Sequence, residues 1–407
     1  MMTEKALSIC MFSNLFPPVS SGSSYFTWNL SRNLVRHNQR VTVVTARLDN
    51  AAQNEIVEGV QVFRLPAIRL PRLAIAHNFK WMTYTFTPRN LSRLKALFDK
   101  EQFDVVHQHS HVFDTILSSS RLAKRYRLPL VFTQHTTVEH PNPLFKAVLL
   151  GLEAIARRVI IDKADVVVSP TITAEEYVKA RHRVSHSPII PYGIETLQPR
   201  PNDVRLFKQR FGLGDGPVIL SLGHVNLYRD RMDLIQAMPL VLRHFPTARL
   251  LIVGEVYVQE PVQLVQKLGL ENHITFTGAV PHDQIFAFFA LSDAEAHTAN
   301  TDYPGPGIAS MEAMSAGLPV ITTEVDSSSG FGLENWENVV MVPLNQPKTM
   351  AEALIRLLSD EQLRRRIGEN AKKMIAQQYS WDTVCEAYIA LYRDVIERHR
   401  KGAANDI

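Results

Sequence analysis

Short runs of β-branched and other apolar residues alternate with longer helical patterns along the chain. In the first half, the runs predicted to be buried strands are Ala6–Met11, Val41–Ala46, Asp104–Gln108, Leu130–Thr133 and Val166–Ser169. Between the first two runs, Phe26, Leu30 and Leu34 recur every four residues, which is the spacing of one helix face. Strands that alternate with helices in this way predict a parallel sheet with crossover helices.

A second series of strands begins after Gly193. Its members are predicted at Val218–Leu222, Arg249–Val253, Ile274–Thr277, Asp293–His297, Val320–Thr322 and Val339–Val342. Helices fit between them, for example at Leu234–Arg243 and Ile308–Ala316. The stretch Gln198–Asn202 contains two prolines and is typical of a linker. The chain is therefore predicted to be an α/β protein with two Rossmann-like, doubly wound domains, over residues 1–197 and 198–380.

The end of the chain is predicted to be helical. Met350–Leu358 and Gln362–Gln378 carry helical periodicity. Ser380 can then cap a last helix that reaches to about Arg398. We assign residues 381–407 to a C-terminal helix that returns to the first domain.

Composition adds the expectation of an ordinary cytoplasmic protein. The chain has 407 residues, 45% of them hydrophobic and 21% charged, which is typical of globular proteins. Its two cysteines, Cys10 and Cys385, form neither a disulfide framework nor a zinc-binding spacing. The most apolar windows are too short or too charged to predict a membrane span, and the first is a poor signal peptide.

The net charge of +4 is modest, but the stretch Gly59–Phe98 contains no acidic residue and seven basic ones. Aromatic residues lie between them. A solvated surface, an anionic membrane surface and an anionic acceptor are the open interpretations of residues 59–98. Single-stranded nucleic acid also binds such patterns, but no RNA-binding motif is present, so no nucleic-acid partner is predicted.

The strongest local feature is the segment Asp302–Pro319. A loop with two glycines, Gly305 and Gly307, precedes a predicted helix that begins at Ile308. Glycines allow a ligand to approach the backbone, and the amides of a first helical turn favour a phosphate. Glu312 lies about one turn inside this helix, where its carboxylate could reach a sugar hydroxyl beside that phosphate.

The same segment resembles the family 4 retaining glycosyltransferases, which have the GT-B fold: two Rossmann-like domains with parallel sheets that face a cleft. The family signature usually reads E-G-F-G-L-P-x-x-E-A-M-A-x-G-x-P-V. From Pro304 to Val320 this chain reads P-G-P-G-I-A-S-M-E-A-M-S-A-G-L-P-V. The resemblance implies that Glu312 holds the nucleotide ribose. It also implies that the backbone before it contacts the sugar and the diphosphate, at Gly305, Gly307, Ile308 and Ala309.

One position departs from the family pattern. Pro304 stands where the family has its first glutamate, which lies at the donor sugar. Asp302, two residues earlier, is the carboxylate that can substitute for it.

Further matches lie in the first half of the chain. Gly22, in a loop between a strand and a helix, resembles a glycine of the family's diphosphate- and acceptor-binding loop. His135 follows a strand and resembles the family histidine that contacts the donor sugar, which assigns it to the catalytic centre with Glu312. His107 and His109 fit the pattern D-V-V-H-x-H, with acceptor, orienting and core roles left open.

The second half carries the remaining matches. After strand Val218–Leu222 the family has an arginine and then a lysine on the donor diphosphate. Here Arg229 and Arg231 are the nearest candidates for the lysine, because a guanidinium can bind phosphate through two nitrogens. Gly254 and Gly278 match turn glycines at the nucleotide.

The resemblance implies transfer of a sugar from a UDP- or GDP-linked donor to an acceptor hydroxyl with retention, in the synthesis of a glycolipid, polysaccharide or other glycoconjugate. Such chemistry depends on positioning and on electrostatic stabilisation of the departing diphosphate. The nucleotide sugar is a substrate, and neither a cofactor nor a metal is expected. The acceptor is a lipid, saccharide or small molecule, and the location is cytoplasmic, with a peripheral position at the inner face of the membrane as an option.

Two alternatives stay open. One is another enzyme of the same fold, such as a nucleotide-sugar epimerase or a phosphorylase. The other, suggested by Pro304, is a catalytically impaired protein that binds nucleotide sugars. A dehydrogenase is disfavoured because the G-x-G-x-x-G fingerprint is missing.

Overall fold

The computed structural model divides the chain into two compact units, residues 1–193 with 381–407, and residues 194–380. The first boundary therefore falls after Gly193, four residues before the predicted position. The residues that the structure describes are 5–17, 22–48, 51–70, 82–110, 114–135, 142–182, 184, 187–226, 229, 231–297, 306–324 and 332–405.

The first unit is built on a seven-stranded sheet. In chain order, the strands described in this unit, two of which lie outside that sheet, are β1 (Ser8–Phe12), β2 (Arg40–Arg47), β3 (Asn54–Val57), β4 (Val60–Pro66), β5 (Ile68–Leu70), β6 (Met82–Tyr84), β7 (Val105–His109), β8 (Leu130–Thr133) and β9 (Val166–Val168). The sheet has the order β3-β4-β2-β1-β7-β8-β9, with every pair parallel except β3 and β4, while β5 and β6 form a separate antiparallel pair. The strand order reverses between β1 and β7, where such sheets bind ligands.

Four of these strands, β3 to β6, were not predicted from the sequence. Strand β3 is almost entirely solvent-facing, so it carries no hydrophobic pattern that marks a buried strand. It joins β4 through a tight turn at Glu58 and Gly59, both of which have positive φ. The other predicted strands of this unit are confirmed, with ends shifted by no more than two residues.

The helices of the first unit are α1 (Gly22–Arg36), α2 (Pro88–Lys100), α3 (Thr115–Tyr126), α4 (Pro143–Val159), α5 (Ile172–His182) and the last helix, α13 (Trp381–Asn405). Helix α13 packs into the same core as β1 and α1 through Trp381, Cys385, Tyr388 and Tyr392. Their spacing of three or four residues places them on one face of the helix. The C-terminal helix is thus an integral part of the first unit.

The second unit contains a six-stranded sheet with strands β10 (Val218–Leu222), β11 (Arg249–Val253), β12 (Ile274–Gly278), β13 (Ala294–His297), β14 (Val320–Thr323) and β15 (Val340–Val342). All of its pairs are parallel, in the order β12-β11-β10-β13-β14-β15. This order corresponds to 3-2-1-4-5-6, the doubly wound arrangement, with its reversal between β10 and β13. The predicted strands of this unit are confirmed to within one residue at either end.

The helices of the second unit are α6 (Pro201–Arg210), α7 (Met232–His244), α8 (Glu260–Lys267), α9 (Ile285–Leu291), α10 (Ile308–Ser315), α11 (Pro347–Ser359) and α12 (Glu361–Gln378). The predicted linker was wrong in its last two residues, because Pro201 is the first residue of α6. A proline fits there, since the first helical residue has no need of its amide hydrogen. Within the described residues, no helix is long and apolar enough to cross a membrane.

Candidate functional site

The start of α10 in the second unit combines helix amides with a cation. Gly307 caps the helix in an extended conformation, and the amides of the first turn after it have no acceptor inside the helix. The Arg229 guanidinium lies 3.4 Å from the point where a Cβ of Gly307 would stand. The same guanidinium lies 3.8 Å from the corresponding point at Gly223, which follows β10. A positive side chain, a helix N-terminus and two glycines therefore meet at the strand-order reversal.

The two predicted arginines occupy different environments. Arg229 is partly exposed, whereas Arg231 is fully buried. The Arg231 guanidinium donates to the carbonyl of Arg229 at 3.0 Å and to those of Leu222 and Gly223 at 3.3 and 3.2 Å. Arg231 thus braces the loop after β10 from inside, and Arg229 is the arginine that faces the start of α10.

A buried carboxyl group lies behind this loop. Glu295 sits on β13 with no exposed surface, and burial raises its pKa to about 7. Ser310 and the positive charges of Arg231 and Arg229 oppose that rise. His297, at the end of the same strand, is also buried, and its pKa is lowered by burial and by the two arginines. The sequence pattern predicted the strand that carries both residues. Ionisable side chains on such a strand were the signal that could have marked them as candidate site residues.

Glu312 forms an ion pair that we did not predict. Its Oε1 lies 2.8 Å from Nε2 of His282, which stands in a short helical turn just before α9. Only 3% of Glu312 is exposed, so burial raises the pKa of its carboxyl, while His282 acts in the opposite direction. The hydrogen bond to Glu312 raises the pKa of His282. No local sequence pattern links residues 30 positions apart, so the partner of Glu312 could not be found from the sequence.

The turn glycines of the second unit serve close backbone packing. A Cβ on Gly254 would stand 2.4 Å from the Gly223 carbonyl oxygen, and Gly254 also has a φ of 145°. Its amide donates to the carbonyl of Gly278 at 3.0 Å. Because Gly254 has no side chain, the backbone of the loop after β10 packs directly against the end of β11. The carbonyl of Gly278 accepts the hydrogen bond of the Gly254 amide at this contact.

Three imidazoles meet at the carboxyl ends of β7 and β8 in the first unit. His109 Nδ1 lies 3.0 Å from His135 Nε2, and His135 Nδ1 lies 3.3 Å from the Tyr192 hydroxyl. His107 contacts Tyr392 Oη at 2.7 Å and Thr133 Oγ1 at 2.8 Å. His107 is thereby tied to α13, and both ring nitrogens of His135 are engaged.

Burial keeps these imidazoles neutral. It lowers the pKa of His135 to about 3, and it lowers the pKa values of His107 and His109 well below their ordinary value. A neutral imidazole has one N–H donor and one acceptor, so it can hydrogen-bond a hydroxyl without carrying charge. Phe26 of α1 packs against His135, with ring centroids 5.0 Å apart.

The remaining predicted positions are Gly22, Asp302, Gly305 and the basic stretch 59–98, and the structure describes only part of them. Gly22 is the first residue of α1. Asp302, Pro304 and Gly305 lie outside the described residues, as do residues 71–81 of the basic stretch. Within the part of that stretch that is described, Arg64 is buried, forms an ion pair with Glu55, and donates to the Pro17 carbonyl at 2.8 Å. Among the described residues no group of three or more His, Cys, Asp or Glu side chains could hold a metal ion.

Comparison with known families matches both units. The model described as glycosyl transferases group 1 matches residues 203–374, and that described as glycosyltransferase family 4 matches residues 20–197.

Relatives of similar length match the chain from end to end. An uncharacterized glycosyltransferase of Methanocaldococcus jannaschii is 25% identical over 96% of this chain and 99% of its own. D-inositol 3-phosphate glycosyltransferase of Acidothermus cellulolyticus is 25% identical over 94% of this chain and 88% of its own. Alpha-monoglucosyldiacylglycerol synthase of Acholeplasma laidlawii is 22% identical over 97% and 99%.

The fold is shared with solved structures. An Anabaena protein in complex with UDP superposes with a TM-score of 0.71 at 17% identity, over 95% of this chain and all of that one. The same protein has also been solved with UDP-glucose.

Proposed function

This chain belongs to the family 4 glycosyltransferases of the GT-B fold, and we propose that it transfers a sugar from a nucleoside diphosphate sugar to an acceptor hydroxyl with retention of configuration. The proposal rests on one arrangement above the others. The Arg229 guanidinium stands beside Gly307 at the N-terminus of α10, at the strand-order reversal of the second unit.

That arrangement suits a diphosphate. The partial positive charge at the start of α10 and the amides of Ile308 and Ala309 favour an anion, and Arg229 adds a full charge. When the bond from the sugar to the diphosphate breaks, negative charge grows on the departing oxygen. Groups already fixed around that oxygen stabilise the charge without further rearrangement.

Glu312 is proposed to accept hydrogen bonds from the nucleotide ribose. His282 holds its Oε1 at 2.8 Å, which leaves Oε2 for a ribose hydroxyl. A carboxylate fixed by one partner loses less conformational freedom when it binds a second. Gly254 and Gly278 are proposed to shape the nucleotide pocket through the backbone they bring together.

In the reaction, the acceptor oxygen forms a bond to the anomeric carbon as the bond from that carbon to the diphosphate breaks. The proton of the acceptor hydroxyl goes to the departing diphosphate oxygen, so no protein nucleophile is required. His135 is proposed to hydrogen-bond a hydroxyl of the sugar in its neutral form, replacing the longer of its two bonds, that to Tyr192. His109 holds the other ring nitrogen, and His107 is proposed to orient this cluster from inside the unit. Gly22 and Asp302 are proposed to contact the substrates.

For the substrates we propose a UDP- or GDP-linked hexose and a lipid or saccharide acceptor. The UDP complexes of a protein with the same fold and the lipid-glucoside synthase among the relatives support this choice. The nucleotide sugar is the only small molecule required beside the acceptor. We place the protein in the cytoplasm, as a peripheral protein at the inner face of the membrane.

The test is calorimetric titration with UDP, GDP and their hexose conjugates, followed by product analysis with an acceptor. We expect one diphosphate to bind, and Glu312→Ala and Arg229→Ala each to weaken binding at least about tenfold, since each loses a charged contact. Arg205→Ala, which removes an exposed arginine of the same unit, is the matched control.

Three outcomes would replace the proposal. An epimerised nucleotide sugar formed without acceptor would identify an epimerase. Phosphate-dependent cleavage of a glycoside would identify a phosphorylase. Tight diphosphate binding without turnover of any donor would identify a binding protein, in line with Pro304.

A further inference from the structure

Helix α4 of the first unit carries a continuous apolar stripe on its solvent face. Leu144 is 67% exposed, Val148 42%, Leu152 55% and Ile155 61%. At 100° per residue these four side chains lie within an arc of about 80°, so they form one stripe along the helix. Scattered apolar residues are common on protein surfaces, but a stripe on one helix marks an interaction face.

Contacts on the opposite face of α4 hold the helix in the orientation that points the stripe toward solvent. Glu153 is 5% exposed, accepts a hydrogen bond from the Tyr177 hydroxyl at 2.6 Å, and lies 3.4 Å from His182. Both partners belong to α5. Ala156, one turn along, is buried in the core of the unit. A rotation that buried the stripe would expose this polar contact and remove Ala156 from the core.

The charges around the helix indicate the kind of partner that the stripe binds. Glu153 is the only acidic residue of α4 and it is buried, so no acidic side chain of the helix lies beside the stripe. The basic residues Lys146 and Arg157 lie on the far side of the helix, where Arg157 is 3.8 Å from Asp162. Arg158 is exposed at the edge of the stripe. Arg181 of α5 lies beside Ala154 and Arg157 and extends the basic edge. Helix α4 thus has an apolar face with a basic edge, a combination that suits the interface of a membrane containing anionic lipids.

We propose that the exposed face of α4 docks the protein onto an anionic lipid bilayer. The stripe enters the boundary between head groups and acyl chains, and Arg158 and Arg181 contact lipid phosphates. This surface differs from the basic stretch 59–98 that the sequence suggested, where Arg64 is buried against Glu55. The proposal rests on the peripheral location proposed above and assigns it a surface, but it does not depend on the sugar-transfer reaction, because lipid binding needs neither donor nor acceptor.

Sedimentation of the full chain with vesicles tests it. We expect binding to vesicles of phosphatidylglycerol mixed with phosphatidylcholine, weaker binding to phosphatidylcholine alone, and a loss of binding with added salt. Leu152→Gln with Ile155→Gln should weaken partitioning at least about tenfold. Arg158→Gln should weaken it about fivefold. Because these side chains are exposed, the variants should keep the thermal stability of the parent protein.

The matched control is Ile56→Gln with Leu206→Gln, which removes two apolar residues of β3 and α6 that are 76% and 55% exposed. It should sediment like the parent protein. Equal loss in this control, or unchanged binding in the α4 variants, would overturn the proposal. So would a dimer in light scattering that the α4 variants convert to a monomer, since a second copy of the chain would then cover the stripe.

Discussion

At the scale of single residues, Glu295 and Arg231 are two buried ionisable side chains behind the loop after β10. Arg231 is fully buried, and three backbone carbonyls accept hydrogen bonds from it. Burial raises the pKa of the Glu295 carboxyl by more than the charge of Arg231 lowers it, so that pKa stays above its ordinary value. The loop that carries Arg229 therefore packs on buried polar side chains, Arg231 and Glu295, that solvent does not reach.

The raised pKa of Glu295 makes a prediction about stability and pH. The folded protein binds the proton of this carboxyl more tightly than the unfolded chain does, with a pKa of about 7 against 4.5. Its contribution to stability is therefore fully present below pH 4.5 and is lost as the pH rises through about 7. We expect the free energy of unfolding of the parent protein to fall relative to that of Glu295→Gln over this window, by at most about 3 kcal/mol.

Urea denaturation of both proteins at a series of pH values measures this difference. His297→Gln serves as a companion variant. Because the pKa of the His297 imidazole is lowered, its titration changes stability as the pH falls, in the opposite direction to that of Glu295. Parallel stability curves for the parent protein and Glu295→Gln would show that Glu295 does not titrate in this range.

Single residues also show where the sequence was sufficient. The start of α10 at Ile308 was predicted because glycines directly precede a helical pattern in the chain. The pair of Glu312 and His282, and the contact of His107 with Tyr392, join residues far apart in sequence. Such contacts depend on how the elements pack, which no local pattern contains.

At the scale of elements, the docking of α13 depends on one glycine. A Cβ on Gly193 would stand 2.3 Å from the ring of Trp381, the first residue of α13. We expect Gly193→Ala to lower the free energy of unfolding by about 2 kcal/mol, because neither the backbone at Gly193 nor the buried ring has room to move. Thermal or urea denaturation measures the effect.

Gly151→Ala is the matched control for that substitution. Gly151 lies in the middle of α4, and no described atom outside its own stretch of helix lies within 4 Å of the point where a Cβ would stand. Alanine favours helix over glycine, so this variant should be more stable by about 0.5–1 kcal/mol. Equal stability of the Gly193 variant and the parent protein would mean that α13 can shift at no cost.

Elements were predicted well where a continuous apolar run marks them and less well elsewhere. Strands β10, β11 and β14 of the second unit are largely buried and were found almost to the residue. Strand β4 alternates between buried and partly exposed residues and was missed. Strand β3 is solvent-facing and was missed, although it pairs with β4 along its whole length. Backbone pairing stabilises such an edge strand without leaving a hydrophobic signature.

At the scale of the whole molecule, Arg229 and the start of α10, which are proposed to hold the diphosphate, both lie within the second unit. Hydrogen exchange with and without saturating UDP or GDP should therefore show slower exchange around residues 223–229 and 306–312. Peptides of α2, in the first unit, should exchange at the same rate in both conditions. Protection confined to the first unit would contradict the assignment of the diphosphate to Arg229 and α10.

The position of α13 has a consequence for synthesis of the protein. The second unit is inserted between Gly193 and Trp381, and its ends are joined where the Ile194 amide donates to the Tyr379 carbonyl at 2.7 Å. The core of the first unit includes Tyr388 and Tyr392, which follow the whole second unit along the chain. During synthesis this core is therefore completed only after the second unit has been made, and residues 1–193 must stay unaggregated until then.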